Sequence, residues 1–131
     1  MKKIICAAIA LVTLSFTLVS CNENVPKYSS MAGSSWDAEC RFSNQIYTEL
    51  IGDLHFYSDS TGYMNYTKLY GDDHGRHREF FGYRFYNDKI QFTYGYYLEG
   101  TYQIEERTKN KLVLNKYGYL SKGIIILKRI E

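Results

Sequence analysis

Proline occurs once in these 131 residues, at Pro26, so no proline interrupts a strand anywhere beyond it. Charge of one sign is scarce as well. The formal net charge is +2, and Lys2 and Lys3 are the only charged residues before Cys21, so the chain from Cys21 onward carries 14 cations against 14 anions. A neutral chain lacks the clustered basic surface that supplies most phosphate-backbone affinity, which excludes nucleic acid as a partner. No segment has a convincing 3.6-residue apolar period; only Asn44 to Leu50 suits a short helical turn. No serine or cysteine sits in a strained, glycine-flanked turn of the kind that exposes a nucleophile. Ser60 and Ser121 lie near turns, but nothing marks a base for either, so no catalytic residue is assigned and an enzyme is not expected. No cofactor motif is present either.

What is present begins at the N-terminus. Met1-Lys2-Lys3 is a positive start, Ile4 to Val19 is an apolar run, and Leu18-Val19-Ser20-Cys21 closes it. This is the layout of a secretory signal peptide over residues 1–20. The run is shorter than the roughly 20 residues a membrane-spanning helix needs, and Asn22-Glu23-Asn24 ends it abruptly. Leu18-Val19-Ser20-Cys21 resembles the lipobox of bacterial lipoproteins. That resemblance implies cleavage before Cys21, a diacylglyceryl group on its thiol and acylation of its new amino group. The expected membrane partner is reached through those acyl chains. Asn22, rather than aspartate, follows the cysteine, which by the same resemblance points to the outer membrane of the cell envelope; periplasmic and surface faces both stay open.

Cleavage removes Cys6 and lipidation consumes Cys21, which leaves Cys40 alone. One thiol cannot form an internal disulfide, and Cys40 reads as a small buried apolar residue. Residues 21–34 read as a lipidated N-terminus and flexible tether, rich in polar and turn-forming residues such as Pro26, Ser29-Ser30 and Gly33-Ser34-Ser35. The folded part is then one domain, residues 35–131.

That domain reads as strands nearly throughout. Tyrosine, used 14 times, favours pleated surfaces. Trp36, Ala38, Cys40 and Phe42 alternate with Asp37, Glu39 and Arg41, the period-two signature of a half-buried strand. Further strands are expected at Leu50–Tyr57, Tyr63–Tyr70, Phe80–Tyr86, Lys89–Tyr94, Tyr96–Ile104, Lys111–Asn115 and Gly123–Ile130, with Ser58 to Gly62 as turn chemistry. About eight short strands at regular spacing predict an all-β, antiparallel meander that closes into a barrel or folds as a sandwich. Closure would also protect Ile124-Ile125-Ile126-Leu127, which would be an aggregation hazard as an open edge.

Gly33-Ser34-Ser35-Trp36, the run Leu54 to Gly62, Gly100-Thr101-Tyr102-Gln103-Ile104 and Leu112-Val113-Leu114 resemble the small lipocalin-like lipoproteins of Bacteroidetes-type bacteria. The resemblance implies a small lipocalin-like barrel of eight strands and a small apolar ligand in its mouth, with Trp36, Tyr66, Tyr83 and Tyr102 as candidate ligand-binding residues. Against this, Trp36, Phe42, Phe56, Phe85, Phe92 and Tyr102 are bulky enough to fill so small an interior.

Other candidates are plain. His74 and His77 beside Asp72 and Asp73 offer metal-type ligands, but Arg76 and Arg78 oppose a cation; the loop Gly71 to Arg78 reads as solvated, and no metal is assigned. Glu105 and Glu106 adjoin in a strand and are expected on opposite faces. Tyr63, Tyr66, Tyr70, Tyr83, Tyr86, Tyr94, Tyr96 and Tyr97 crowd the middle strands. Those that face outward offer a platform for a glycan or an envelope protein, since tyrosine joins apolar area to a hydroxyl.

Overall fold

In β1 (Ser34–Ser43) the alternation holds along the whole strand: Trp36, Ala38, Cys40 and Phe42 are buried, while Asp37, Glu39 and Arg41 are exposed. The computed structural model describes residues 31–43, 46–118 and 121–130. The expected signal peptide, Cys21 and most of the expected tether therefore lie outside the described residues. Seven more strands follow: β2 (Tyr47–Phe56), β3 (Thr61–Lys68), β4 (His77–Phe85), β5 (Lys89–Tyr94), β6 (Gly100–Arg107), β7 (Lys111–Lys116) and β8 (Lys122–Arg129). Each pairs antiparallel with the next, and β8 pairs with both β7 and β1, so the meander closes into a barrel. Ile126 of β8 faces Glu39 on one side and Val113 on the other, so this apolar strand has no free edge.

Side chains fill the interior. Leu54, Met64, Phe81, Leu114, Ile125 and Leu127 are fully buried. Four edge-to-face contacts join Tyr83, Phe56, Phe81, Phe92 and Tyr102 in a continuous row, with centroids 4.8, 5.7, 5.2 and 5.5 Å apart. Perpendicular rings place the positive edge of one on the negative face of the next, and each pair adds about 0.5–1.5 kcal/mol beyond area burial. An eight-stranded barrel is just wide enough for such filling.

Both ends are covered. At the end where β1 begins, Met31 is buried, and the Ser34 hydroxyl donates to its carbonyl at 2.6 Å while accepting from Trp36 Nε1 at 2.9 Å. The last residues of the expected tether are thus docked on the barrel, because Met31 supplies an apolar side chain to its floor. At the other end, the 95–99 connection folds across the opening and inserts Leu98, which is fully buried.

Further expectations differ from what is found, beyond β4 beginning at His77 and not at Phe80. Tyr96 to Leu98 do not belong to β6, because Gly95 and Gly100 have φ of 143° and 137°, which turn the chain before the strand begins. No helical turn forms over Tyr47 to Leu50, which belong to β2; residues 44 and 45 lie outside the described residues. Glu105 and Glu106 both project to solvent, because the β6–β7 register shifts between Ile104 and Glu106 and a bulge breaks the alternation.

Candidate functional site

The four residues expected to line a ligand all face inward and are buried. Trp36 is 0% exposed and hydrogen-bonded to Ser34. The Tyr83 hydroxyl donates to the Ser58 carbonyl at 2.5 Å, and burial pushes its pKa up to about 12. Tyr66 packs edge-on against Tyr97, 5.6 Å between centroids. Tyr102 ends the aromatic row, and burial raises its phenol far above its ordinary value. Its hydroxyl is the one buried side-chain polar atom among the described residues that lacks a hydrogen-bond partner. The interior thus brings these four together as packing.

Two further groups are held inside. Cys40 is buried, and loss of solvent raises its thiol well above the usual range, so the nucleophilic thiolate is disfavoured. Glu79, on β4, turns inward beneath the 95–99 connection. Its carboxylate accepts the Tyr97 N–H at 3.1 Å and the Leu98 N–H at 3.3 Å. Burial raises its pKa, and these backbone donors partly offset the rise. It therefore latches the cover from within.

The polar loop behaves differently from a ligand cluster. Asp73 accepts the Gly75 N–H at 3.0 Å and pairs with His77 at 2.8 Å, and those contacts lower its pKa. Arg76 leaves the loop to meet Asp53 on β2, at 2.5 Å. Among the described residues no group of three or more His, Cys, Asp or Glu side chains is placed to hold a metal ion.

The outer wall over β2 to β5 gathers what the sequence scatters. Register aligns Asp53, Asn65 and Arg78 in one row and His55, Tyr63 and Phe80 in the next. Asp53 accepts from Asn65 Nδ2 at 2.9 Å, pairs with His55 at 2.5 Å and receives Arg76. Burial works against its charge, yet the hydrogen bonds from Asn65, His55 and Arg76 hold its carboxyl below the usual carboxylate range. The Asn65 carbonyl accepts Arg78 Nε at 2.8 Å. The Arg78 guanidinium lies over the Tyr63 ring at 4.5 Å, and His55 stacks on the same ring at 4.7 Å. The contact of the guanidinium with the Tyr63 face is favourable even at an exposed position.

Beside this stack lies a hollow of about 270 Å³ lined by Tyr57, Thr61, Gly62, Tyr63, Arg78, Phe80 and Tyr94. Tyr57, Phe80 and Tyr94 are 79%, 64% and 50% exposed. Gly82 leaves the Tyr94 ring its place at the border of the hollow, since a Cβ there would stand 2.5 Å from that ring and 2.6 Å from Thr93 Oγ1. Another hollow of about 280 Å³ lies among Arg41, Tyr47, Lys116, Tyr117 and Lys122. Two of its cations are already engaged, Arg41 with Glu49 and Lys116 with the Glu99 carbonyl. Sequence reasoning named Tyr63 and Tyr94 for an outward platform but gave no site role to Tyr57, Arg78, Phe80 or Glu79; period-two alternation through His77, Glu79 and Phe81 is the available signal for the last.

The chain is an all-β protein: a small eight-stranded antiparallel barrel with a filled core and an aromatic outer wall. Searches among protein-family profiles, characterised proteins and solved structures return no match.

Proposed function

We propose that this chain is a lipid-anchored, lipocalin-like binding module of the bacterial cell envelope, held in the outer membrane through Cys21, and that it binds its ligand on the outer wall of the barrel. The observation that carries this reading is the contrast between a core closed by Met31 and Leu98 and the exposed rings of Tyr57, Phe80 and Tyr94 around one hollow. Large exposed aromatics that converge on a hollow with an arginine have the composition of binding hot spots. A role in binding rather than catalysis also fits a buried, protonated Cys40 and a Glu79 engaged by backbone donors. The anchor is favoured by Leu18-Val19-Ser20-Cys21. Several acyl chains, at about 0.8 kcal/mol per buried methylene, make attachment lasting where one chain is marginal.

Two measurements test the parts separately. Cys21→Ser is expected to abolish fatty-acid labelling and leave uncleaved precursor; unchanged labelling contradicts the anchor. Joint Phe80→Ala and Tyr94→Ala substitution is expected to leave the unfolding midpoint nearly unchanged while removing retention of envelope glycan fractions; unchanged retention contradicts the outer-wall site.

A further inference from the structure

We infer that the hollow recognises an acidic sugar, with the ligand carboxylate on the Arg78 fork and the sugar ring against Phe80 and its neighbouring tyrosines. The inference rests on the outer-wall reading and adds the chemical class of the ligand. Arg78 carries it. Its guanidinium is stacked on Tyr63, and its Nε is tied to Asn65, itself fixed by Asp53. Among the described residues neither of its terminal nitrogens has an acceptor. The carboxylate nearest in this network, Asp53, is already shared among Asn65, His55 and Arg76. Arg78 is also the only charged residue among those lining the hollow. A planar fork fixed at one edge and free at the other is preorganised for bidentate contact with a carboxylate.

The rest of the lining selects what bears that carboxylate. Phe80 offers an exposed apolar face, and the hydroxyls of Tyr57, Tyr63 and Tyr94 have no protein partner among the described residues. Apolar faces edged with free hydroxyls match a sugar ring, which presents C–H bonds on its faces and hydroxyls at its rim. At about 270 Å³ the hollow is near the small end of ligand pockets, which are about 300–1,000 Å³, and suits a single ring of a longer chain.

The test uses the full chain in detergent, titrated calorimetrically with a trimer of galacturonic acid and with its methyl ester, which keeps the ring and removes the charge. The acid is expected to bind about tenfold more tightly than the ester, and Arg78→Gln to erase that difference. Arg78→Lys, which keeps the charge but not the fork, should recover only part of it. Equal binding of acid and ester, or a silent Arg78→Gln, overturns the acidic-sugar inference. If Phe80→Ala still weakens both probes, the outer-wall reading survives that result; binding unaffected by Phe80→Ala defeats both. Tighter binding of a short Tyr-Asp peptide than of either sugar also overturns the inference, by assigning the fork to a protein partner. Arg78 is exposed on a closed barrel, and an unchanged thermal unfolding curve for each variant confirms that binding alone is altered.

Discussion

Phe80 and Phe81 are neighbours on β4, yet Phe81 is 0% exposed and Phe80 is 64% exposed. Phe81 meets Phe56, Tyr83 and Phe92 edge-on inside the barrel. Phe80 tilts toward Tyr63 on the outer wall and borders the hollow. The pleat alone separates them, since successive side chains point to opposite faces. Identical rings thus meet two fates: burial inside stabilises the fold, and exposure outside leaves the apolar area on which the proposed binding rests. A protein that needed only its core would gain nothing by placing Tyr57, Phe80 and Tyr94 together in water.

Substitutions can break this contrast. The largest effect is expected inside: Phe81→Ala or Trp36→Ala should lower stability by about 3–5 kcal/mol, whereas Phe80→Ala should stay within about 0.5 kcal/mol. Denaturant unfolding of the three variants checks this, and a comparable loss for Phe80→Ala would erase the distinction. Next is the latch. Glu79→Ala leaves the buried Leu98 N–H and its neighbour without an acceptor, at a cost of about 2–3 kcal/mol, and should raise hydrogen exchange in residues 95–99 before the strands exchange.

Glu79 also has a signature in pH. Its folded pKa is raised, so the unfolded chain ionises first as pH increases. Stability should therefore fall as pH rises from about the ordinary glutamate value, 4.5, toward the raised value, and level off above it. Glu79→Gln should remove that slope; a slope that persists assigns it to another group. Asp53 has the opposite sign. Its folded pKa is lowered, so its contribution is present above the ordinary value of 3.8 and is lost as pH falls through the folded value. Asp53→Asn should cost at most about 1 kcal/mol, as expected for a partly exposed pair, and should free Arg76.

Gly82→Ala is a quieter test that sharpens the contrast. Its Cβ would collide with the Tyr94 ring and Thr93 Oγ1, which are side-chain atoms able to move. Loss of ligand binding with a stability change below about 1 kcal/mol is the expected outcome.

The barrel was readable in the sequence where one face is apolar and the other polar. Trp36 to Phe42 announces β1 by strict alternation, and Lys89–Tyr94 is bounded by turn residues, so the expected and observed spans of β5 coincide. Tyr96 to Leu98 misled, because apolar rings before Gly100 look like strand, while two glycines at positive φ place them across the barrel end. Glu79 was hidden because the polar loop before it obscures where β4 begins; once the strand is extended to His77, its inward position follows. The candidate outer-wall site is the least legible. That Asn65 stands beside Arg78, and Tyr63 beside Phe80, is a consequence of register, which linear order does not display.

The central claim is that the outer wall binds while the interior serves as core. An amide and aromatic NMR titration of the full chain in detergent with the galacturonic acid trimer tests it most directly. Shifts confined to His55, Tyr57, Tyr63, Arg78, Phe80 and Tyr94 are the predicted result. Shifts centred on Trp36, Met64, Leu98 and Tyr102, with those outer residues unmoved, would contradict it and place the ligand inside the barrel.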